Sequence, residues 1–318
     1  VTVRILALSG GIGGAKLALG LAQVVPHADL TIAANPGDDF EHLGLTICPD
    51  LDTLTYTLSG LSDTERGWGR QGETWNFMAA LGELGGDTWF NLGDRDLALH
   101  AERTRRLRAG ETLSEVTAAL CGRLGIGPSI VPATDQPVRT VVETPDGPLP
   151  FQHYFVRLRC EPRVTGFRFE GAAAARPSPA LAEALADPGL AAVVICPSNP
   201  FISIDPILAI PGVVEALNDV KAPIVAVSPV VGGAAVKGPT AKMLAELGFE
   251  VSASAVARHY RSRIRLDGYL LDEADAALAS DLEAEGLTVA VAQTVMTDLE
   301  TKTAVARAVL SLADRLRR

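Results

Sequence analysis

The segment Ser9-Gly10-Gly11-Ile12-Gly13-Gly14-Ala15-Lys16 sets four glycines and a lysine between a β-prone run and a helical pattern. Glycines let a backbone approach an anion closely, and a helix N-terminus adds unpaired N–H donors and partial positive charge. Gly10, Gly11, Gly13, Gly14 and Lys16 are therefore candidates for a phosphate site. Neither familiar fingerprint is met. The dinucleotide pattern G-x-G-x-x-G, set on Gly11 and Gly13, needs a third glycine where Lys16 stands; a P-loop needs glycine at Ala15 and a metal-binding hydroxyl at Leu17. The plain alternative is a tight turn.

Three acidic clusters form a second group: Asn35-Pro36-Gly37-Asp38-Asp39, Cys48-Pro49-Asp50-Leu51-Asp52-Thr53 and Leu92-Gly93-Asp94-Arg95-Asp96. Carboxylates gathered in this way hold a hard divalent cation or act as a base toward a hydroxyl. Each cluster also precedes a helical pattern, where Asp is a preferred cap. In the second half, Cys196-Pro197-Ser198-Asn199-Pro200 and Ser228-Pro229-Val230-Val231-Gly232-Gly233 each follow an apolar run. Ser198, Asn199 and the glycine N–H groups could meet phosphate or a base there, or could simply connect strand to helix. His259 and Tyr260, flanked by Arg258 and Arg261, suit a phosphate clamp or a solvated helix face. Trp68, Trp75 and Trp89, with Arg66 and Arg70 nearby, suit core packing or a flat slot for an aromatic ligand. His42, His100 and His153 have no metal spacing, and no G-x-S-x-G elbow supports acyl hydrolysis.

These residues need a scaffold, and the pattern of apolar runs, Gly/Pro/Asp turns and helical stretches is that of a parallel sheet covered on both faces. The expected strands are Val3–Leu8, Leu30–Ala34, Trp89–Leu92, Ala191–Cys196, Ile224–Val227 and Gly268–Leu271, with helices from about Gly14, Leu51, Glu73 and Arg95. In such folds the ligand crevice lies at the C-terminal edge of the strands, where the acidic clusters fall. Ser129–Val131, Arg139–Glu143, Phe151–Arg159 and Val164–Phe169, with the turn Pro145-Asp146-Gly147-Pro148, have the texture of hairpins. Residues of about 95–185 are thus expected to form a helical and antiparallel β insertion in a single α/β domain spanning 1–318. Asp298–Arg318 reads as an amphipathic helix with Asp at its start and Arg at its end.

The chain has 318 residues, 47% of them hydrophobic and 21% charged, which is enough for a large core. A formal charge of −10 opposes an extended phosphate-backbone interface, so nucleic acid is not expected as a partner. No apolar run approaches the roughly 18 residues of a bilayer crossing. Val1–Leu8 lacks the basic lead-in of a secretion signal and reads as a first strand. Cys48, Cys121, Cys160 and Cys196 form no C-x-x-C pair, so neither zinc nor disulfides are indicated and a reducing cytoplasm is expected.

In this order the motifs resemble the 2-phospho-L-lactate transferase (CofD) family of deazaflavin coenzyme (factor 420) biosynthesis. The resemblance runs from the N-terminal glycine loop through Gly37-Asp38-Asp39, Pro49-Asp50-Leu51-Asp52-Thr53, Arg66-Gly67-Trp68-Gly69 and Leu92-Gly93-Asp94-Arg95-Asp96. It continues in Val131-Pro132-Ala133-Thr134-Asp135, Phe151-Gln152, Pro197-Ser198-Asn199-Pro200, Ser228-Pro229, Arg258-His259-Tyr260 and Met296-Thr297-Asp298. It implies a Rossmann-like three-layer fold. The implied reaction moves a phospho-organic-acid unit from a guanosine diphosphate-linked donor to the ribityl hydroxyl of the deazariboflavin Fo, releasing GMP with Mg²⁺. Asp50 and Asp52, joined by Asp38 or Asp39, would then serve the metal and the attacking hydroxyl, and Asp52, Asn91, Asp94 and Arg95 would meet Fo. The glycine loop, Ser198, Asn199 and Gly232 would hold the donor's phosphates and guanosine. The organic acid stays open among phospholactate, phosphoenolpyruvate and 3-phosphoglycerate, and a homodimer is compatible with the resemblance. Two alternatives are a non-catalytic regulator of related fold that binds nucleotide sugars and an NAD-dependent dehydrogenase; the latter would want an acid at the end of the second strand, where Ala34-Asn35 stands.

Overall fold

The computed structural model describes residues 3–235 and 238–317, so Val1 and Thr2 of the expected first strand and Arg318 of the expected last helix lie outside it. The first half contains β1 (Arg4–Ser9), β2 (Leu30–Ala34), a hairpin of β3 (Phe40–His42) and β4 (Leu45–Ile47), β5 (Ser129–Pro132), β6 (Arg139–Glu143), β7 (Leu149–Pro150) and β8 (Gly166–Glu170). The second adds β9 (Leu190–Ile195), β10 (Ile224–Val227), the short pair β11 (Val230–Val231) and β12 (Ala234–Ala235), β13 (Gly268–Asp272) and β14 (Thr288–Ala292). Seven strands lie parallel in the order β14-β13-β10-β9-β1-β2-β5. The chain works outward from β1 on one side and outward from β9 on the other. The order therefore reverses between these two neighbours.

Period-two alternation explains why the sheet is buried twice. Leu6 and Leu8 of β1 join Val193 and Ile195 of β9 and Ile224 and Ala226 of β10 in one apolar layer. Ile5 and Ala7 join Val194, Val225 and Val227 in the other. The second layer is closed by α1 (Gly11–Val24), α2 (Pro49–Leu58) and the C-terminal helix Leu299–Leu316, whose start is capped by the Asp298 side chain accepting the Thr301 N–H. This is the α/β three-layer arrangement expected.

Several expectations are corrected. Ser129–Pro132 is not a hairpin strand: Ile130 and Val131 are buried on opposite faces, and the segment completes the main sheet beside β2. The antiparallel part is the sheet β7-β6-β8. Phe151–Arg159 contains a helical turn, His153–Arg157, rather than a strand, because its buried residues Phe151 and Tyr154 are three apart. Trp89–Leu92 forms no strand; Leu92 and Phe90 instead pack with Ile47 and Met78 in a small satellite core. That core also involves α3 (Asn76–Glu83), followed by α4 (Asp94–Arg108) and α5 (Leu113–Arg123). The edge strand β14 and the hairpin β3/β4 had not been anticipated.

The main sheet's layers depend on close helix contact. An ideal Cβ on Gly20 of α1 would fall 2.1 Å from the Lys302 carbonyl oxygen of the C-terminal helix. Gly20→Ala should therefore lower stability by about 1–3 kcal/mol, since overpacking against backbone outweighs the gain in helix propensity. A urea melt checks this, and a stabilised variant would show that the helices can separate freely.

Candidate active site

Crossovers that lead away from each other on either side of a switch point leave a crevice at the C-terminal ends of the parallel strands. Here the glycine loop after β1 meets the loop after β9. Ser198 Oγ donates to the Gly10 carbonyl at 2.7 Å and accepts the Gly10 N–H at 3.1 Å. An ideal Cβ on Gly13 would sit 2.3 Å from the Pro197 carbonyl oxygen, so only glycine permits this approach. Asn199 Oδ1 accepts the N–H groups of Phe201 and Ile202 at 3.0 and 3.3 Å and caps the turn Pro200–Ile204. Lys16 Nζ donates to the Met296 carbonyl at 2.7 Å. Gly10, Gly11, Gly13, Lys16, Ser198 and Asn199 all line a cleft of about 600 Å³. Gly14 is buried behind it, against Ser9 and Ser198, and Gly232 lies outside it, donating its N–H to Asp275 at 2.9 Å.

Three of the carboxylates proposed for the metal line the cleft, and they differ in state. Asp50 Oδ1 accepts the Gly11 N–H at 2.6 Å, and Asn35 Nδ2 lies 2.9 Å from both Asp50 Oδ2 and Asp38 Oδ1. Burial pushes the Asp50 carboxyl up to about 6 against the opposing bonds from Asn35 and Gly11. Burial, then the charge of Asp50, raises Asp38 well above the usual carboxylate range. Two crowded, poorly hydrated carboxylates beside a phosphate-type loop are a natural place for a cation. Among the described residues no cage of three or more His, Cys, Asp or Glu is preassembled. Mg²⁺ needs none, because it is commonly held by one or two carboxylates and completed by substrate phosphates and water. Asp38 and Asp50 fit that donor set.

Asp52 is in a different position. It faces the buried Arg103, whose Nη2 and Nη1 both donate to its oxygens, the latter at 3.2 Å. Burial alone would lower the Arg103 guanidinium, but the charge of Asp52 holds it above its ordinary value. The pair is mutually neutralised, which removes Asp52 as a free cation ligand. Asp39 leaves the cleft altogether. It lines an adjoining cavity of about 480 Å³ with Arg139, and burial pushes it up to about 7 despite the arginines nearby.

The acceptor-side expectations divide in the same way. Asn91 lines the cleft, whereas Asp94 and Arg95 do not. Asp94 accepts the N–H groups of Asn76 and Phe77 at 3.1 and 3.0 Å and the Thr74 hydroxyl at 2.6 Å, capping α3. Glu73 returns the favour, accepting the N–H groups of Arg95 and Asp96 at 2.7 and 2.8 Å at the start of α4. Of the tryptophans, Trp68 lines the cleft, Trp75 flanks Arg66 together with it, and Trp89 lines the smaller cavity. His259 is no phosphate clamp: its Nε2 lies 3.0 Å from both oxygens of buried Asp205 and ties the helix Ala253–Arg261 to the core. Tyr56, His100, Phe151 and Phe155 line the cleft although sequence reasoning assigned them no role, and Asp96, read there only as one member of an acidic cluster, lines it too. A signal was present in the i,i+4 pairs Asp52/Tyr56 and Asp96/His100, which put each pair on one face of its helix.

Known proteins can now be set beside this geometry. Residues 5–311 match the family model described as 2-phospho-L-lactate transferase CofD. The chain belongs to the CofD family. It is 44% identical over 321 residues to the phosphoenolpyruvate transferase of Streptomyces griseus subsp. griseus, covering 99% of this chain and 100% of that one. It is 39% identical over 330 residues to the phosphoenolpyruvate transferase of Mycolicibacterium smegmatis, covering 98% and 99%. A crystal structure of a member of the upf0052 family from Bacillus halodurans superposes with a TM-score of 0.66 at 15% identity, covering 98% of this chain and 99% of that one, a likeness of fold alone. As a CofD-family member the chain is an enzyme that transfers a phospho-acid group.

Two measurements probe this arrangement. Arg103→Leu strands the Asp52 charge in the interior and should cost about 3–5 kcal/mol of folding stability in a chemical melt; a near-neutral result would mean that Asp52 has another partner. The hydrogen bonds from Thr74, Phe77 and Asn76 hold exposed Asp94 down to about 2, below its ordinary 3.8. Its stabilising contribution is therefore complete above that ordinary value and lost as pH falls through about 2. Asp94→Ala should flatten this acid limb of the stability profile while leaving acceptor binding unchanged.

Proposed function

We propose that this enzyme transfers a phosphoenolpyruvate unit from a guanosine diphosphate-linked donor to the terminal ribityl hydroxyl of Fo, releasing GMP, in deazaflavin coenzyme biosynthesis. The observation that carries the reading is the union, in one cleft at the switch point, of the glycine loop, the Asp38–Asp50 pair and an aromatic wall with Trp68 and Phe155. The names of the similar Streptomyces and Mycolicibacterium proteins favour phosphoenolpyruvate over the other organic acids.

In this reading the acceptor oxygen attacks the phosphorus that carries the organic acid, a new P–O bond forms, and the P–O bond to GMP breaks. The glycine loop and the N-terminus of α1 direct N–H donors to the diphosphate. Asp38 and Asp50 would hold Mg²⁺, which when bound neutralises phosphate charge. Asn35 keeps those two carboxylates apart and aligned, and its Nδ2 also lies 3.0 Å from the Ile202 carbonyl. That use of Asn35 also disfavours a dehydrogenase, because no acid stands at the end of β2 to receive an adenosine ribose. Ser228, Pro229 and the segment Gly238–Thr240 line the far side of the switch point and offer groups to the nucleoside.

The decisive experiment is the product mass after incubation of Fo and Mg²⁺ with guanylated phosphoenolpyruvate, phospholactate or 3-phosphoglycerate. Product from the first donor in preference to the others supports the reading, and product from none of them overturns it. Asp50→Asn should lower turnover by on the order of 10²–10³ without unfolding the protein, because the amide still accepts the Gly11 N–H but no longer carries the charge. GDP with Mg²⁺ should raise the melting temperature and NAD should not. At a hundredfold excess over Kd the stabilisation is about 2.7 kcal/mol, a shift of several degrees.

A further inference from the structure

The cleft contains four carboxylates, and three of them have a task or a counter-charge already. Asp38 and Asp50 share the Asn35 amide beside the glycine loop, and Asp52 is neutralised by Arg103. Asp96 differs in both place and partners. It stands in the first turn of α4 and receives the Tyr56 hydroxyl on Oδ1. Tyr56 lies six residues beyond Asp50 on α2, a rise of about 9 Å, so Asp96 is well removed from the carboxylate pair.

Its second support is His100, which is almost wholly buried, with Nε2 3.2 Å from Asp96 Oδ2. On the other side of the ring, Arg103 Nη1 lies 3.4 Å from Nδ1. The same Nδ1 lies 3.6 Å from Asp52 Oδ2, so the ring bridges from the Asp52–Arg103 pair to Asp96. Asp96 is thus held by the Tyr56 hydroxyl and the His100 ring. It keeps unused lone pairs, and its side chain remains 18% exposed where that of Asp52 is 8% exposed. Asn91 and Thr53 line the same cleft. A fixed anionic acceptor of this kind, with its rotamer set before any ligand arrives, is suited to the hydrogen of an alcohol.

We propose that Asp96, held in place by Tyr56 and His100, accepts the hydrogen bond of the acceptor's attacking hydroxyl and so selects which hydroxyl of the sugar-alcohol chain reaches the phosphorus. Asp96 forms no covalent bond, and Tyr56 and His100 are positioning residues. The inference rests on the transfer reading given above and moves the hydroxyl-binding role from Asp52 to Asp96.

The test compares wild type, Asp96→Asn and Asp96→Glu, with donor and acceptor varied separately and Fo binding followed without donor through Trp68 fluorescence. Asp96→Asn should raise the acceptor KM and Kd roughly 10- to 100-fold, the loss expected for a charged hydrogen bond. Donor KM should stay within about twofold of wild type, and Asp96→Glu should recover part of the acceptor loss. Should Asp96→Asn fail to fold, Tyr56→Phe leaves the carboxylate in place but frees its rotamer, and should raise the acceptor KM roughly two- to fivefold with donor KM unchanged. A folded Asp96→Asn protein with wild-type acceptor KM and Kd overturns the proposal, as does an equal loss toward both substrates, which would mark a structural role. If wild type itself makes no product from Fo and a guanylated donor, the transfer reading fails and the proposal falls with it. Product from wild type together with unaltered variants rejects the proposal alone.

Discussion

The junction of Gly10 and Ser198 holds the two halves of the molecule in register. One hydroxyl accepts the N–H and donates to the carbonyl of the same residue, so the loop after β1 and the loop after β9 are clamped at a fixed separation. This happens where a doubly wound sheet is otherwise open, since each strand's crossover leads away from the switch point. Gly13, against the Pro197 carbonyl, allows the approach. The start of α1, the carboxylates at the start of α2 and the capped turn at Pro200 all take their positions from this contact.

From that clamp the electrostatics follow by distance along α2. Near the glycine loop, Asp50 and Asp38 crowd around one asparagine amide and are destabilised as anions by burial, Asp38 also by the charge of Asp50. One half-turn on, Asp52 is satisfied by an arginine from α4. Beyond it, Tyr56 reaches the first turn of α4 and fixes Asp96. These two helices and the loop after β2 therefore present four carboxylates of three kinds: a crowded pair, one neutralised by an arginine, and one held by a tyrosine hydroxyl and a histidine.

The loops that carry these residues are stabilised by reciprocal capping rather than by the main core. Asp94 caps α3 while Glu73 caps α4, and the satellite cluster of Ile47, Met78 and Leu92 lies beneath them. A segment built this way places Asn91 and Trp68 at the cleft without extending the sheet. Its stability comes largely from local hydrogen bonds, which are individually modest.

Much of this was legible in the amino-acid order. The unbroken Val/Ile runs established the parallel sheet, the glycine loop after β1 marked the switch-point crevice, and Asp50 and Asp38 were recognisable as cleft residues because loops at the C-terminal edge must open there, whereas Asn91 was indicated only by the family resemblance. The division of labour among the acids was not legible. Asp50 and Asp52, like Asp94 and Asp96, are two residues apart on a helix and so face different directions, and only the neighbouring elements decide what each meets: Arg103, nine residues beyond the start of α4, neutralises Asp52, and Thr74 and α3 absorb Asp94. Such long-range partners leave no local spacing to read. The sequence by itself therefore determined the scaffold, its family and the edge where chemistry takes place; the tertiary structure decided which carboxylates remain charged and unpaired, because that depends on burial and on side chains brought together from distant parts of the chain.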